Sequence, residues 1–441
     1  MELLTGLSLA AGLLSSSIGQ DQPADQALNE KQKTNVILIM ADDMGYETLG
    51  VNGGLSYDTP NLDRMAEQGK RFTNCYSQPL STPSRVKIMT GLYNFRNYDD
   101  FGYLNPKEKT FGNMMKQAGY ATCIIGKWQL NGVKEHPGWE NLDRPKHFGF
   151  EEYCLWQLVE RHKRYANPYI VENGDKIEDL EDAYGPDVFC DYALDYMERK
   201  KDEPFFLYYP MVLPHSPFVP TPDSEEWEDR ENRYNGAKHF FKDMVEYTDK
   251  IVGRIVKRAE ELGIAERTLI IFTGDNGTNR GIVSKTRAGD YTGGKAKTID
   301  AGTHVPLVAH WSGQIQPGSV YDGMIGFSDF YATFADIAGV NANSDGTSFL
   351  SLLKGEPYQG KESVLVHYDP RIRPSTNEWR DRFARTRKYK LYQDGRFYHV
   401  PTDKLEEDPL PMEYTDWEVI QIKRKLQRML DQAPEWVEDD Q

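Results

Sequence analysis

The sequence predicts an α/β protein with a large mixed, mostly parallel sheet flanked by helices on both faces, and a smaller C-terminal antiparallel sheet with one helix. Short apolar runs alternate with longer helical patterns, which is typical of buried parallel strands joined by helices. After Ser363 the pattern changes to short β-like runs around the hairpin signal Asp394-Gly395. The 441 residues are enough for one large domain and a smaller one.

Charge and hydropathy exclude several classes of protein. Acidic residues outnumber basic ones 68 to 52, a net charge of −16, and no basic run interrupts this surface. A field of that sign repels nucleic acid and anionic lipid, so we expect no nucleic-acid partner. The mean hydropathy is −0.66, and the chain has no apolar run near 18 residues, so we expect no membrane span.

The N-terminus predicts export to the periplasm or secretion. An apolar run from Leu3 to Leu14 is followed by a small-x-small pattern at residues 17–19, which is typical of a signal peptide over residues 1–19. A polar linker over residues 20–34 follows. The run lacks a basic residue before it, so a frayed tail is the alternative.

The large domain is predicted over residues 35–354. Its longest helix is expected at residues 238–262, where apolar side chains recur every three or four residues and Gly263 gives a stop signal. Its clearest strands are expected at residues 36–40, 121–125, 205–209, 269–273 and 307–309.

The C-terminal subdomain is predicted over residues 355–441, with the boundary between Leu353 and Lys361. A closing helix is expected at residues 417–430. The antiparallel strands are expected at residues 364–368, 382–387, 389–392 and 397–400.

The cysteines predict no metal centre. None of the four forms a C-x-x-C pair, which argues against zinc and leaves a disulfide open. Cys123 lies inside a predicted strand and is expected to be a buried strand residue.

Carboxylates follow two of the predicted strands. Asp42 and Asp43 come directly after residues 36–40, and Asp275 and Asn276 follow residues 269–273. Loops that leave the carboxyl ends of parallel strands meet at one edge of the sheet. The four side chains offer only oxygen ligands, three of them anionic, which suits Ca²⁺ or Mg²⁺. Helix caps and turn formers are the alternative.

Ser81 begins a second cluster, Ser81-Thr-Pro-Ser-Arg85. Pro83 is placed to enter the first turn of a helix, so Ser81 is expected just before that helix, at the positive end of its dipole. An anion is stabilised at such a position by free backbone N–H groups. The alternative is that Ser81 is an ordinary N-cap.

Three cationic or protonatable residues form the third group. Lys127 follows residues 121–125, His215 lies between two prolines, and Lys295 lies in a glycine-rich loop. Lysines at strand ends suit an anionic oxygen cluster, and a restrained histidine suits a fixed proton donor. Solvated lysines and a histidine that fills a turn are the alternative.

These motifs resemble the type I, formylglycine-dependent sulfatases of the alkaline phosphatase-like superfamily. The signature is Ser81 to Arg85 with Thr90-Gly91, and the resemblance covers residues 35–354. Further motifs stand in the family order: Asp42-Asp43-Met-Gly45, Thr59-Pro-Asn-Leu-Asp-Arg64, Gly126-Lys-Trp128, Pro214-His215, Thr273-Gly-Asp-Asn-Gly277 and Gly294-Lys295.

The resemblance implies that Ser81 is oxidised to formylglycine by a radical-type maturation enzyme. One oxygen of the hydrated aldehyde would attack sulfur, and the other would expel sulfate as the aldehyde re-forms. Asp42, Asp43, Asp275 and Asn276 would hold Ca²⁺, in preference to Mg²⁺, together with the modified residue 81.

The family also implies roles for the basic residues. Arg85 would fix the diol, Lys127 and Lys295 would neutralise charge on the sulfuryl group, and His215 would protonate the leaving alcohol.

The chain departs from the family at Gln129, where a histidine is usual and is credited with taking the second diol proton. Glutamine cannot accept that proton. Three consequences are left open: another base such as Asp275 or a water takes the proton, turnover is slow, or catalysis is lost. Asp300 and His304 are milder departures beside Lys295.

The sequence therefore predicts a hydrolase of sulfate esters that acts on a sulfated saccharide. Two alternatives are a phosphatase or phosphodiesterase that uses unmodified Ser81, and a binding protein for sulfated glycans without turnover. Substrate contacts are expected from Lys127, His215, Lys295 and His304, and from the loop residues Arg144, His147, Arg161, His162 and Arg164.

Overall fold

The computed structural model describes residues 33–159, 161–178, 180–372, 379–411 and 416–436. The predicted signal peptide, residues 1–19, and most of the linker lie outside the described residues. Within the described ranges, no helix is both long enough and apolar enough to cross a membrane.

The described strands form three sheets. They are β1 Asn35–Ala41, β2 Lys70–Tyr76, β3 Ala121–Lys127, β4 Glu152–Trp156, β5 Val171–Glu172, β6 Asp175–Lys176, β7 Phe205–Pro210, β8 Thr268–Gly274, β9 Val283–Thr286, β10 Gly289–Thr292, β11 His304–His310, β12 Ser319–Tyr321, β13 Ile325–Gly326, β14 Val364–Tyr368, β15 Asp381–Arg385, β16 Tyr389–Tyr392 and β17 Phe397–His399.

The described α-helices are α1 Pro60–Glu67, α2 Ser81–Thr90, α3 Asn94–Asn97, α4 Phe111–Gln117, α5 Arg144–His147, α6 Gly185–Arg199, α7 Phe240–Glu261, α8 Asp300–Thr303, α9 Ser328–Ala338, α10 Leu350–Leu353 and α11 Trp417–Leu430. The long helix predicted at residues 238–262 is confirmed as α7. Gly263 ends it with a φ of 66°, a conformation that glycine adopts without steric cost.

The large sheet has the order β12-β2-β11-β8-β1-β7-β3-β4-β5-β6, with β13 paired to β2. Its central strands β8, β1, β7, β3 and β4 all run parallel to their neighbours in this group. Strand β11 pairs antiparallel with both β2 and β8, so the sheet is mixed, as predicted.

Helices cover both faces of this sheet, which confirms the predicted fold class. Alternate residues of β1 point to opposite sides: Ile37 and Ile39 pack with helices α1, α6 and α7, whereas Val36 and Leu38 pack with α2, α4 and α9. Because both sides of the strand are buried, its sequence is a continuous apolar run rather than an alternating one.

The C-terminal region forms a separate antiparallel sheet, β14-β15-β16-β17, backed by α11. Its elements match the predicted ones, and Gly395 lies at a φ of 92° in the turn between β16 and β17. The boundary between Leu353 and Lys361 stays a prediction. The sequence analysis did not predict the two-stranded sheet of β9 and β10.

The four cysteines are buried and free: Cys75, Cys123, Cys154 and Cys190. Cys123 lies within β3 and is fully buried, as predicted.

Candidate active site

Four adjacent parallel strands deliver the predicted site residues to one edge of the large sheet. Strand β1 ends at Ala41, directly before Asp42 and Asp43, and β8 ends directly before Asp275. Strand β3 ends with Lys127, and the loop after β7 carries His215. The sheet order β8-β1-β7-β3 makes these strand ends neighbours, which is where α/β sheets form sites.

The hydroxyl group of Ser81 lies between two cations. It accepts hydrogen bonds from Nε of Arg85 and from Nζ of Lys127, each at 3.0 Å. The helix begins at Ser81 itself, with Leu80 as the N-cap, and no side chain caps it. The alternative of Ser81 as an ordinary N-cap is therefore wrong, and so is its expected place just before the helix.

Only glycine suits position 126, directly before Lys127. Gly126 has a φ of 103°, and a Cβ atom there would lie 2.3 Å from the carbonyl oxygen of Pro210. The neighbouring β7 backbone therefore packs closely enough to fix the direction in which the lysine leaves the strand.

Lys127 connects Ser81 to the carboxylates. Its Nζ donates to both carboxylate oxygens of Asp42 at 2.8 Å. Burial would raise the pKa of Asp42, but the charge of Lys127, with those of Lys295 and Arg164, outweighs this effect and holds the pKa well below its usual range. Burial lowers the pKa of Lys127 to about 8, against the opposing charge of Asp42.

Three buried carboxylates and one amide form an oxygen-rich group. The backbone N–H of Asp43 donates to Oδ1 of Asp275 at 2.9 Å, and Nδ2 of Asn276 donates to Oδ1 of Asp43 at 2.9 Å. Burial and the charge of Asp42 raise the pKa of Asp275 to about 7. The carboxylates thus lie close enough to disfavour one another's ionisation.

The side-chain oxygen of Asn276 indicates whether a cation fits this group. Oδ1 of Asn276 is buried and has no hydrogen-bond partner among the described residues. A buried carbonyl oxygen without a donor is costly unless a ligand satisfies it, and carboxylate and amide oxygens are the donors that Ca²⁺ takes. The residues therefore fit a hard divalent cation.

His215 also lies close to the carboxylates. One ligand atom each from His215, Asp42 and Asp43 lies within 4.8 Å of the others. Nε2 of His215, however, accepts a hydrogen bond from Nζ of Lys295 at 3.0 Å, and Nδ1 donates to the carbonyl of Ser216 at 2.6 Å. Burial lowers the pKa of His215 to about 4, in keeping with this neutral tautomer.

Lys295 also contacts the carboxylates. Its Nζ lies 2.6 Å from Oδ2 of Asp43. Burial would lower the pKa of Lys295, but the charge of Asp43 outweighs it and raises the pKa. We call these eight residues the strand-end cluster: Asp42, Asp43, Ser81, Lys127, His215, Asp275, Asn276 and Lys295.

Arg85 and Gln129 border this cluster. Arg85 is buried and also donates to the carbonyl groups of Trp128 and Gln129. Gln129 has a φ of 44°, and its contact with Arg85 is made by its backbone.

Two predicted substrate-binding residues are engaged elsewhere. Arg144 is buried, and its guanidinium donates to the carbonyl groups of Pro137 and Leu104 at 2.9 and 2.7 Å. His304 stacks on Tyr46, with ring centroids 4.1 Å apart. These contacts hold loops and strands, so we do not carry forward a substrate-binding role for either residue.

Sequence reasoning missed Glu47. Its carboxyl is buried and accepts a hydrogen bond from Oγ1 of Thr278 at 2.5 Å, and Thr278 in turn accepts from the backbone N–H of Gly45. Burial raises the pKa of Glu47 to about 7. The residue stands four positions after Asp43, and only its acidity near the motif could have signalled it.

The comparison with protein families agrees with this geometry. Residues 34–340 match the family described as Sulfatase, and residues 295–435 match the C-terminal region of N-sulphoglucosamine sulphohydrolase. The chain belongs to the sulfatase family. This sulfatase is a sulfuric ester hydrolase, which confirms the resemblance drawn from the motifs.

Individual relatives support the same assignment. The sulfatase is 29% identical over 407 residues to N-acetylgalactosamine-6-sulfatase of Mus musculus, covering 80% of this chain and 75% of the relative. It is 26% identical to N-acetylgalactosamine-6-O-sulfatase of Bacteroides thetaiotaomicron, covering 83% of this chain and 84% of the relative. The solved PsFucS1 sulfatase from Pseudoalteromonas sp. shares the fold, with a TM-score of 0.72 and 22% identity. The match covers 94% of this chain and 93% of that structure.

Proposed function

We propose that this sulfatase, after oxidation of Ser81 to formylglycine, hydrolyses O-sulfate esters of saccharides with one bound Ca²⁺ ion. The observation that carries the proposal is the position of the Ser81 hydroxyl between Arg85 and Lys127, beside three buried carboxylates. An anion that enters there meets cations on two sides and a candidate cation site on a third.

Two groups outside the described side chains would complete this chemistry. A formylglycine at position 81, hydrated, supplies a nucleophilic oxygen for attack on sulfur. Ca²⁺ held by Asp42, Asp43, Asp275 and Asn276 supplies Lewis acidity toward the sulfate oxygens. The all-oxygen donor set suits a hard divalent cation, and the choice of Ca²⁺ over Mg²⁺ rests on the resemblance to the sulfatases.

Arg85 and Lys127 orient the attacking group. Both donate to the side-chain oxygen at position 81, so they fix its direction before substrate arrives. Lys127 is also held by both oxygens of Asp42, which prevents it from swinging away.

His215 and Lys295 serve the leaving group. Because Nδ1 of His215 donates to Ser216, its Nε2 faces Lys295 and the cluster. In this tautomer Nε2 of His215 carries no proton, so the proton that the leaving oxygen takes as the S–O bond breaks is one from Nζ of Lys295, which His215 orients. The product is then an alcohol rather than an unstable alkoxide.

The substrate class follows from the relatives. Several of them are named N-acetylgalactosamine-6-sulfatase, so a 6-sulfated N-acetylhexosamine is the first substrate to assay. We also propose maturation by a radical-type enzyme, because residue 81 is serine, and a periplasmic or secreted location, on the evidence of residues 1–19.

The test is a panel of sulfate and phosphate esters assayed with the protein co-expressed with a serine-type maturation enzyme. We expect release of sulfate from the 6-sulfated sugar, dependent on Ca²⁺, and no comparable release of phosphate. Release of phosphate by protein with unmodified Ser81 would instead support the phosphoesterase alternative. Tight binding of the sulfated sugar without turnover would support the binding-protein alternative.

A further inference from the structure

A second cationic pocket adjoins the loop that carries His215. The cavity has a volume of about 330 Å³, within the size range of small-ligand sites. One of its lining residues is Pro217, two residues after His215. Arg161, Lys163, Arg164 and Arg233 line it, and none of its lining residues that the structure describes is acidic. We call this cavity the 161–164 pocket.

The charge of this pocket is unusual for the protein. Acidic residues outnumber basic ones by 16 in the whole chain, yet four lysines and arginines line this one cavity. Like charges held close together repel one another unless an anion lies between them. The concentration of cations therefore points to an anionic ligand.

Aromatic rings help to position two of these cations. Nζ of Lys163 lies 4.1 Å from the ring centroid of Tyr234, and the guanidinium of Arg164 lies 4.2 Å from that of Trp156. A ring face holds a cation in place without neutralising its charge. Arg233 combines a ring contact with Trp227 and an ion pair with the exposed Asp182 at 3.3 Å.

Arg164 connects the pocket to the strand-end cluster. It is buried, its Nη2 donates to the carbonyl of Ser216 at 3.3 Å, and its Nη1 lies 3.6 Å from Oδ2 of Asp42. Nη1 has no hydrogen-bond partner among the described residues. The hydroxyl of Tyr165 donates to Val212 at 2.8 Å and also to the carbonyl of His215. The pocket and the catalytic loop are thus one packed unit.

We propose that the 161–164 pocket is a substrate subsite that receives a second anionic group, a sulfate ester or a carboxylate, on the saccharide whose scissile sulfate lies at Ser81. The inference rests on the proposed function. Since His215 serves the leaving alcohol, the leaving saccharide lies on the His215 side of the site. Pro217, two residues further along the same loop, also lines the 161–164 pocket. Guanidinium groups bind sulfate and carboxylate through paired N–H donors.

The test compares selectivity in three proteins: wild type, Arg161→Met and Lys163→Met. Both side chains are exposed, so neither substitution should prevent folding. The substrates are a singly sulfated saccharide, the same saccharide with a second sulfate, and the same singly sulfated saccharide linked to a uronic acid. The measured quantity is the ratio of kcat/KM for each doubly anionic substrate to that for the singly anionic one.

We expect wild type to favour at least one doubly anionic substrate, and each variant to lower that ratio by about threefold to fivefold through a higher KM. The substrate that shows the loss identifies sulfate or carboxylate as the bound group. Arg230→Met is the matched control, because Arg230 is exposed, pairs with Asp182 and does not line the pocket. It should leave the ratio unchanged.

Equal ratios in wild type and both variants would overturn the proposal. Failure of the proposed function is a separate outcome, seen as no sulfate release from any substrate by protein with modified Ser81. In that case, calorimetric binding of the same three saccharides decides the question: loss of the preference for the doubly anionic ligand in Arg161→Met supports the subsite, and an unchanged preference refutes it.

Discussion

Two regions of this sulfatase bury several charges, and they satisfy those charges in different ways. In the C-terminal region, Arg385 pairs with Asp300, Lys390 pairs with Glu406 at 2.7 Å, and Tyr392 donates to the same glutamate. We call these five residues the C-terminal ion network. In the strand-end cluster, by contrast, Asn276 keeps an orphaned oxygen and Asp275 has its pKa raised to about 7.

The difference indicates which of the two regions binds a ligand. Buried charges that are fully paired specify a packing arrangement, whereas buried groups left without partners cost free energy until a ligand binds. The C-terminal ion network joins β15 and β16 to Asp300, five residues after Lys295. It therefore supports the loop that carries a proposed catalytic lysine, while the strand-end cluster carries the chemistry.

Substitution of the nucleophile separates activity from stability most strongly. Ser81→Ala removes the only side-chain oxygen that can be oxidised at this position, so we expect sulfate release to fall by roughly 10⁴-fold or more. The free energy of unfolding should fall by about 1–3 kcal/mol, since two hydrogen bonds are lost.

Ser84→Ala is the matched control on the same helix. Its hydroxyl is buried and hydrogen-bonds the backbone of Gln78 at 3.0 and 3.1 Å. A similar loss of stability with retained sulfate release is expected. Equal loss of activity in both variants would contradict the separate role given to Ser81.

Substitution in the C-terminal ion network should have the opposite result. Lys390→Met leaves Glu406 buried without its cation, so we expect a loss of about 3–5 kcal/mol in the free energy of unfolding, measured by urea denaturation. The folded fraction should retain sulfate release. Lys388→Met, at an exposed position two residues away, is the control and should change stability little. An unchanged stability in Lys390→Met would show that the network is not structural.

Glu47 provides a test by pH. Its pKa is raised from 4.5 to about 7 by burial, so the folded protein binds more protons than the unfolded chain between these values. The contribution of Glu47 to stability is therefore fully present below pH 4.5 and is lost as the pH rises through about 7, a change of up to about 3 kcal/mol from this group. Glu47→Gln should reduce this fall when unfolding is measured across that range. An unchanged slope would contradict the assignment of a neutral buried carboxyl.

Cation binding should change stability slightly less than the titration of Glu47 does. At 100 times its dissociation constant, Ca²⁺ should add about 2.7 kcal/mol to the free energy of unfolding and raise the melting temperature. Asn276→Ala should lose most of this response, whereas Asn279→Ala, three residues on, should keep it. A response equal in both variants, or greater for Zn²⁺ than for Ca²⁺, would contradict the oxygen-ligand site.

Much of the strand-end cluster was predictable because its residues follow buried strands directly. Asp42 and Asp275 occupy such positions, Lys127 is the last residue of its strand, and the order of the strands brings the three together without further information. The sheet itself was predictable for the same reason, since strands buried on both faces are continuous apolar runs.

The remaining features depend on contacts between distant segments. Arg164 lies 3.6 Å from Asp42 although 122 residues separate them, and no local pattern distinguishes it from Arg144, which binds backbone carbonyls instead. The pairing of Asp300 with Arg385 likewise depends on how the small sheet packs against the large domain. Sequence patterns identify residue types and elements, but not which charges meet after folding.

The most direct test of the account is mass spectrometry of the peptide that contains Ser81, from the protein co-expressed with a serine-type maturation enzyme. Loss of two hydrogens at Ser81, with an aldehyde that reacts with a hydrazine probe, is the predicted result. An unmodified serine in protein that nevertheless releases sulfate would contradict the proposed mechanism.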